Sequence, residues 1–330
     1  MSQSPRIGVL LVQLGTPDAP DVAAVRRYLR EFLMDPRVVD IPAVPRWLLV
    51  NGVIAPLRGP RSAAAYRSVW TPAGSPLLAN TRALAAALTP RLGLPVAIGM
   101  RYGNPSIAAA LAELPGCDRI VVVPLYPHYA SASTGSAVEA VLQAAGGLLA
   151  IPALTVTRPL AQYPGWATAV VRLATEAVAD ADAVVCSYHG LPERQVRATR
   201  EGCLRDPACC DRPDALFGHC YRAQCLATSR MIAAALGRPE VTTAFQSRLG
   251  RDAWLAPSLE VVLDRLLDAG ARRIGVIASS FVADCLETLE EIGLRARERV
   301  AARGGELRLA PCLNADPAWV EVLARAIEQP

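Results

Sequence analysis

The sequence predicts an α/β protein built from two similar Rossmann-like lobes, each a parallel sheet with helices on both faces, with a cleft between them. Three observations predict it. Short runs rich in Val, Ile and Leu alternate with longer helical patterns along nearly the whole chain, the signature of strand–helix–strand crossovers. Several runs are continuously apolar, as expected where helices cover both faces of a sheet. The first half of the chain also resembles the second.

The candidate strands, in order, are Ile7–Leu14, Val96–Tyr102, Arg119–Leu125, Leu154–Thr157, Ala183–Tyr188, Val241–Gln246, Arg273–Ala278 and Leu307–Pro311. Between the first two, Val22, Val25, Leu29, Phe32 and Leu33 form one stripe of a helix over Val22–Met34. Val12-Gln-Leu-Gly-Thr-Pro17 is matched by Ser187-Tyr-His-Gly-Leu-Pro192, each closing an apolar run. Met100-Arg-Tyr-Gly103 is matched more loosely by Ser247-Arg-Leu-Gly250, and Arg119-Ile-Val-Val-Val123 by Arg273-Ile-Gly-Val-Ile277. Three matches in one order predict an N-terminal lobe over residues 1–160 and a C-terminal lobe over 161–314. A last helix within 315–330 is expected to pack back on the first lobe, and a cysteine-rich insert occupies about residues 200–225. Doubly wound sheets bind ligands beyond the carboxyl ends of their strands, so two facing lobes create a cleft there.

A chain of 330 residues has room for two such lobes. With 52% hydrophobic and 19% charged residues the composition is globular. Thirty-four basic against 30 acidic side chains give a net charge of +4, too small and too evenly spread to predict nucleic-acid binding. No apolar run reaches the roughly 18 residues of a membrane span, and Met1–Arg6 lacks the apolar core of a signal peptide. The expected compartment is the cytoplasm, where the nine cysteines stay reduced. Neither a Gly-x-Gly-x-x-Gly nor a Walker loop follows the first strand, so no nucleotide is predicted. The apolar, proline-interrupted stretch Ile41–Arg58, flanked by Arg46, Arg58 and Arg61, has two readings. It is either a greasy lip able to touch the inner face of a membrane or a buried connecting helix.

His189, at the end of an apolar strand and before Gly190, is a candidate base or metal ligand. In Val282-Ala-Asp-Cys-Leu-Glu-Thr-Leu-Glu-Glu-Ile292, read as a helix, Val282, Leu286, Leu289, Gly293, Ala296 and Val300 form a core stripe. Asp284, Glu287 and Glu291 then fall in a narrow sector away from it, a row of carboxylates that can pass a hard cation inward or protons outward. The solvated helix face is the ordinary alternative. Arg101, Tyr126, Ser133 and Trp254 decorate other strand ends with a cation, hydroxyls and rings suited to a flat apolar ligand bearing carboxylates, with a turn or interdomain contact as the ordinary alternative for each. In the insert, Cys203, Cys209, Cys210, Cys220 and Cys225 follow the spacing C-x5-C-C-x9-C-x4-C. Four thiolates can hold zinc or a 2Fe–2S cluster, and free thiols are the third reading. Cys117, Cys186 and Cys312 read as small buried apolar residues.

Taken together, Val12–Pro17, Trp70-Thr-Pro-Ala-Gly-Ser-Pro-Leu77, Tyr126–Ser136, Ser187–Pro192, Gln246-Ser-Arg-Leu-Gly-Arg251 and Ala283-Asp-Cys-Leu-Glu-Thr-Leu-Glu290 resemble the ferrochelatase family, in family order across about residues 7 to 320. The resemblance implies two Rossmann-like lobes holding a porphyrin, and insertion of ferrous iron, as substrate, into protoporphyrin IX. It implies His189 and Glu287, on opposite walls of the cleft, as the catalytic and iron-binding pair. Asp284 and Glu291 match acids on the same helix, and Arg101, Tyr126, Ser133 and Trp254 match pocket-lining positions. Cys285 departs from relatives that carry His there. The insert resembles those of bacterial members with a 2Fe–2S cluster, for which Cys203, Cys210, Cys220 and Cys225 are the first choice of ligands. Coproporphyrin III is the competing substrate, a porphyrin- or haem-binding protein without catalysis the competing class, and a monomer or weak dimer the expected state.

Overall fold

The computed structural model describes residues 5–199, 203–204, 207–211, 218–248 and 252–330. Its eight strands are β1 (Ile7–Thr16), β2 (Val96–Gly103), β3 (Arg119–Pro124), β4 (Ala153–Val156), β5 (Ala183–His189), β6 (Thr242–Gln246), β7 (Arg273–Ile277) and β8 (Glu306–Leu309). They form two four-stranded sheets, ordered β2-β1-β3-β4 and β6-β5-β7-β8, with every ladder parallel. Adding four to each strand number converts the first order into the second, so the internal resemblance is a repeated topology. Helices lie in the crossovers, as parallel pairing requires.

The apolar runs end up where their composition sends them. β1 lies between two neighbours, and Val9, Leu10, Leu11 and Val12 are each 0% exposed. β4 is an edge strand of four residues, all exposed or half-buried, a length that limits unwanted edge pairing. The helix Val22–Met34 has the predicted bounds and is capped by the Asp21 side chain, which accepts from the Ala24 N–H.

By internal contacts the chain divides into two compact units. Unit 1 comprises Met1–Tyr126, Ser131–Arg158 and Asn314–Pro330; unit 2 comprises Pro127–Ala130 and Pro159–Leu313. In unit 1 the helix Pro317–Glu328 packs on the helix Pro76–Leu92, burying Trp319 and Leu323 completely. Arg91 adds ion pairs to Glu321 at 2.7 Å and Glu328 at 3.0 Å.

The stretch read as lip or connecting helix is one continuous helical run: Ala43–Leu48, a π-helix Leu49–Ile54, and Ala55–Val69. The buried reading does not hold. Val44 is 70% exposed, Trp47 56%, Leu48 57% and Leu57 70%, because Val50 and Ala55 turn inward while most of the large apolar groups turn out. Two further π-helices, Ser131–Gly135 and Glu287–Ala296, fall in segments singled out for chemistry, where such wide turns recur. No helix among the described residues is long and apolar enough to cross a membrane.

Candidate active site

The residues expected to act together are divided between the units. Arg101, Tyr126 and Ser133 belong to unit 1; His189, Trp254, Asp284, Glu287 and Glu291 belong to unit 2. His189 and Glu287 both lie in unit 2, as the predicted lobe over residues 161–314 places them.

β5 ends at His189 because Gly190 turns the chain under its neighbour. A Cβ at Gly190 would lie 2.7 Å from the Gln246 carbonyl and 3.2 Å from the Trp254 ring. The Gly190 N–H donates to that same carbonyl at 2.7 Å. The matching glycine of unit 1, Gly15, sits against the Tyr102 carbonyl on β2 in the same way, and Leu14 occupies the place of His189. The repeat therefore supplies the scaffold twice and the imidazole once.

The His189 ring is half-buried, with Nδ1 2.7 Å from the Gly190 carbonyl. A carbonyl only accepts, so the neutral ring carries its proton on Nδ1 and keeps the Nε2 lone pair. The His189 N–H donates to Ser280 Oγ, its carbonyl accepts from the Tyr221 hydroxyl, and its ring leans on Phe281. The other histidines differ. His128 is 2% exposed and donates to or accepts from Thr228. Burial pulls it down to about 3, so it is neutral at physiological pH. His219 is exposed and stands edge-on to Tyr129.

Glu287 opens the π-helix Glu287–Ala296, after a single α-helical residue, Leu286. The expected α-helix from Val282 is corrected: Val282–Cys285 lies outside the helix, so Asp284 is on the approach to it. The Asp284 carboxylate accepts from the Cys312 N–H at 3.3 Å and the Thr288 hydroxyl at 3.4 Å. The predicted core stripe shifts as well. Thr288, Ile292, Gly293, Ala296 and Val300 are buried, while Leu286 and Leu289 are half-buried, because the i→i+5 winding advances each residue by less than an α-helix does. Glu287 and Glu291 stay nearly superposed, one wide turn apart. Glu291 accepts from Gln246 Nε2 at 3.1 Å and from the Ser247 hydroxyl, and pairs with Arg295 at 3.0 Å.

Trp254 lies in a strand-like segment bridged to Pro192, so its ring packs over Gly190. In unit 1, Ser133 occupies the middle of the π-helix Ser131–Gly135. The Tyr126 hydroxyl is enclosed with no hydrogen-bond partner among the described residues, and burial pushes it well above its ordinary range, with Arg101 opposing the shift. Arg101 itself has partners not foreseen. Its Nη2 is 2.6 Å from the nearly buried Asp35 carboxylate, and its Nε donates to Ser136 Oγ at 2.6 Å. Burial raises the Asp35 carboxyl, but the Ser136 and Tyr102 hydroxyls, the Arg37 N–H and Arg101 together hold it below the ordinary value. A ligand carboxylate at Arg101 has to compete with that ion pair.

In the insert, residues 200–202, 205–206 and 212–217 lie outside the described residues, as do 249–251 of the Gln246–Arg251 motif. Two thiol pairs stand out, Cys203–Cys220 at 3.8 Å and Cys209–Cys210 at 3.7 Å. Cys225 is fully buried beneath Tyr221, and burial pushes its thiol well up. Among the described residues, no three His, Cys, Asp or Glu converge as a metal-binding group. Cys285 and Cys312 are buried, and burial, with the Glu287 and Asp284 carboxylates respectively adding to it, pushes both thiols well up.

Comparison with known proteins begins at the fold. The structure resembles SirB from Bacillus subtilis with Fe3+ (TM-score 0.58, 11% identity, covering 98% of this chain and 95% of that one). It also resembles DR2241 from Deinococcus radiodurans, a multi-domain protein with structural similarity to chelatases (TM-score 0.53, 13% identity, 98% and 55% covered). At these identities the likeness concerns the α/β architecture alone. The sequence is more specific. The Ferrochelatase family model matches residues 6–330. A ferrochelatase of Legionella pneumophila (strain Lens) is 43% identical over 98% of this chain and 99% of its own. One of Coxiella burnetii (strain CbuG_Q212) is 42% identical over 97% and 92%. The chain belongs to the ferrochelatase family, and with it to the metal-chelatase lyases.

The residue that sequence reasoning passed over is Gln246. It was quoted as part of a motif and given no role, yet its side chain contacts both Glu287 and Glu291. Its position at the end of the candidate strand Val241–Gln246 was the available signal.

Proposed function

We propose that this chain inserts Fe2+ into protoporphyrin IX to give protohaem, the last step of haem biosynthesis. The observation that carries the reading is the His189 tautomer: an Nε2 lone pair at a strand end, in the same compact unit as the Glu287 carboxylate. A free-base porphyrin must lose two pyrrole protons as the metal enters. Imidazole Nε2 accepts one proton, and the Glu287 carboxylate accepts another or holds the incoming cation. Asp284 and Glu291 extend the acidic row that feeds or drains this site. Tyr126, Ser133 and Trp254 are the porphyrin contacts of this reading, on the motifs that resemble the family. Incubation with ferrous iron and protoporphyrin without oxygen is expected to convert the porphyrin spectrum to that of haem. His189→Ala and Glu287→Gln should each lower the rate by about 100-fold or more; full activity in both sinks the assignment. Parallel rates on coproporphyrin III decide between the two porphyrins.

The insert fits a 2Fe–2S cluster in its donor chemistry and in one further respect. Two sulfurs on one tetrahedral metal at about 2.3 Å stand roughly 3.8 Å apart, which is the separation of Cys203 from Cys220 and of Cys209 from Cys210. Cys203, Cys210 and Cys220, with Cys225 or Cys209 as the fourth thiolate, would hold the cluster. The cluster would tie together a loop with little core of its own. Iron and sulfide counts with a visible spectrum test this, and zinc without sulfide is the contrary result.

The exposed Val44–Leu57 face, with Arg58 and Arg61 also exposed, suits peripheral contact between a cytoplasmic protein and an anionic bilayer. Flotation with anionic liposomes should carry the protein, and Trp47→Glu with Leu57→Glu should abolish it.

A further inference from the structure

Gln246 closes β6 beside His189 in the strand register. It is 2% exposed, and each polar atom of its side chain is used. Ser187 Oγ donates to its Oε1 at 2.6 Å. Its Nε2 donates to the Glu287 carbonyl at 2.9 Å and to the Glu291 carboxylate at 3.1 Å. The amide has only one workable orientation. Carbonyl and carboxylate oxygens only accept, so the NH2 must face them and the oxygen must face the Ser187 hydroxyl. On the backbone, the Gln246 carbonyl accepts from the Gly190 N–H, and the Gly190 carbonyl is the one that holds His189 Nδ1.

We propose that Gln246 is a positioning residue that couples the two members of the candidate pair. Its backbone carbonyl holds the Gly190 turn that sets the His189 tautomer, and its side-chain amide holds the π-helix at its first residue, fixing where the Glu287 carboxylate starts. No other residue type of that size serves. Methionine would leave the Ser187 hydroxyl and the two acceptors unpaired in a buried place. Glutamate would set a second carboxylate against Glu291.

The inference rests on the chelatase reading, and its test separates the two. In Gln246→Met, kcat for iron insertion should fall about 10- to 100-fold while the dissociation constant for porphyrin, read by fluorescence quenching, stays within about twofold. Amide hydrogen exchange across Glu287–Ala296 should quicken in the same variant. Ser187→Ala is milder in both readouts. Ser187→Ala combined with Gln246→Met should match Gln246→Met alone, since Ser187 acts through the amide. Wild-type kcat per folded molecule in Gln246→Met, unchanged exchange, or losses that multiply in the double variant overturns the proposal. If Gln246→Met does not fold, Ser187→Ala carries the same two readouts, and no change in either overturns it. If the wild-type protein inserts no metal, the functional reading fails, and the exchange measurement still decides whether the amide holds the helix.

Discussion

At His189 the Gly190 carbonyl fixes the tautomer, and the missing Gly190 side chain lets that carbonyl sit where it does. Gly190→Ala should therefore displace Gln246 or Trp254. We expect a loss of activity larger than the loss of stability, measured as kcat per folded molecule against the thermal midpoint. Gly15 is different, because its φ is +114° and a Cβ would lie 1.8 Å from the Tyr102 carbonyl. Gly15→Ala should destabilise unit 1 by several kcal/mol through backbone strain and collision, readable by denaturant unfolding. His128 gives the chain an acid sensitivity. Its folded value of about 3 lies below the ordinary 6.5, so the unfolded chain binds more protons between those limits. This contribution to stability is complete above pH 6.5 and is lost as pH falls towards 3. His128→Gln should flatten the decline of the thermal midpoint between pH 6.5 and 4.5, and an unchanged slope would contradict the burial argument.

Among elements, the strands were legible and the π-helices were not. All eight predicted strands appear, and in the central ones, such as β1 and β3, the continuous apolar run is buried on both faces of the sheet. Their ends moved by one or two residues wherever neighbours decided them: β1 continues to Thr16 because Gly15 and Thr16 still pair with Tyr102 and Gly103. A π-turn leaves no such trace, since its winding depends on what packs around it. The acidic row illustrates the consequence. Glu287 and Glu291 were correctly grouped, whereas Asp284 was assigned to a helix that starts two residues later. In unit 1, Asp35 ties Arg101, Tyr102 and Ser136 together next to the π-helix carrying Ser133. Asp35→Asn strips the partly exposed Arg101 guanidinium of its nearly buried counter-charge, and a loss of about 1–3 kcal/mol is expected by denaturant unfolding.

For the molecule as a whole, two sheets of one topology explain why motifs recur at matched strand ends. The last helix joins the first unit across nearly the full length of the chain, by burying Trp319 and by the Arg91 ion pairs. Trp319→Ala should cost about 3–5 kcal/mol. Arg91→Ala should cost about 1 kcal/mol or less, since its partners are nearly half exposed. Urea unfolding of the two variants compares packing with surface charge directly.

The sequence by itself determined the α/β class, the eight strands, the repeated design and the family. Those follow from composition and local pattern, which act over a few residues. Only the tertiary structure decided that Arg101 is already paired with Asp35 and that the Val44–Leu57 face is exposed. It also decided that Gln246 joins the imidazole turn to the acidic helix. The Arg101–Asp35 and Gln246–Glu287 contacts join residues 66 and 41 positions apart along the chain, and hydrogen-bond geometry between such partners exists only once the sheets have formed.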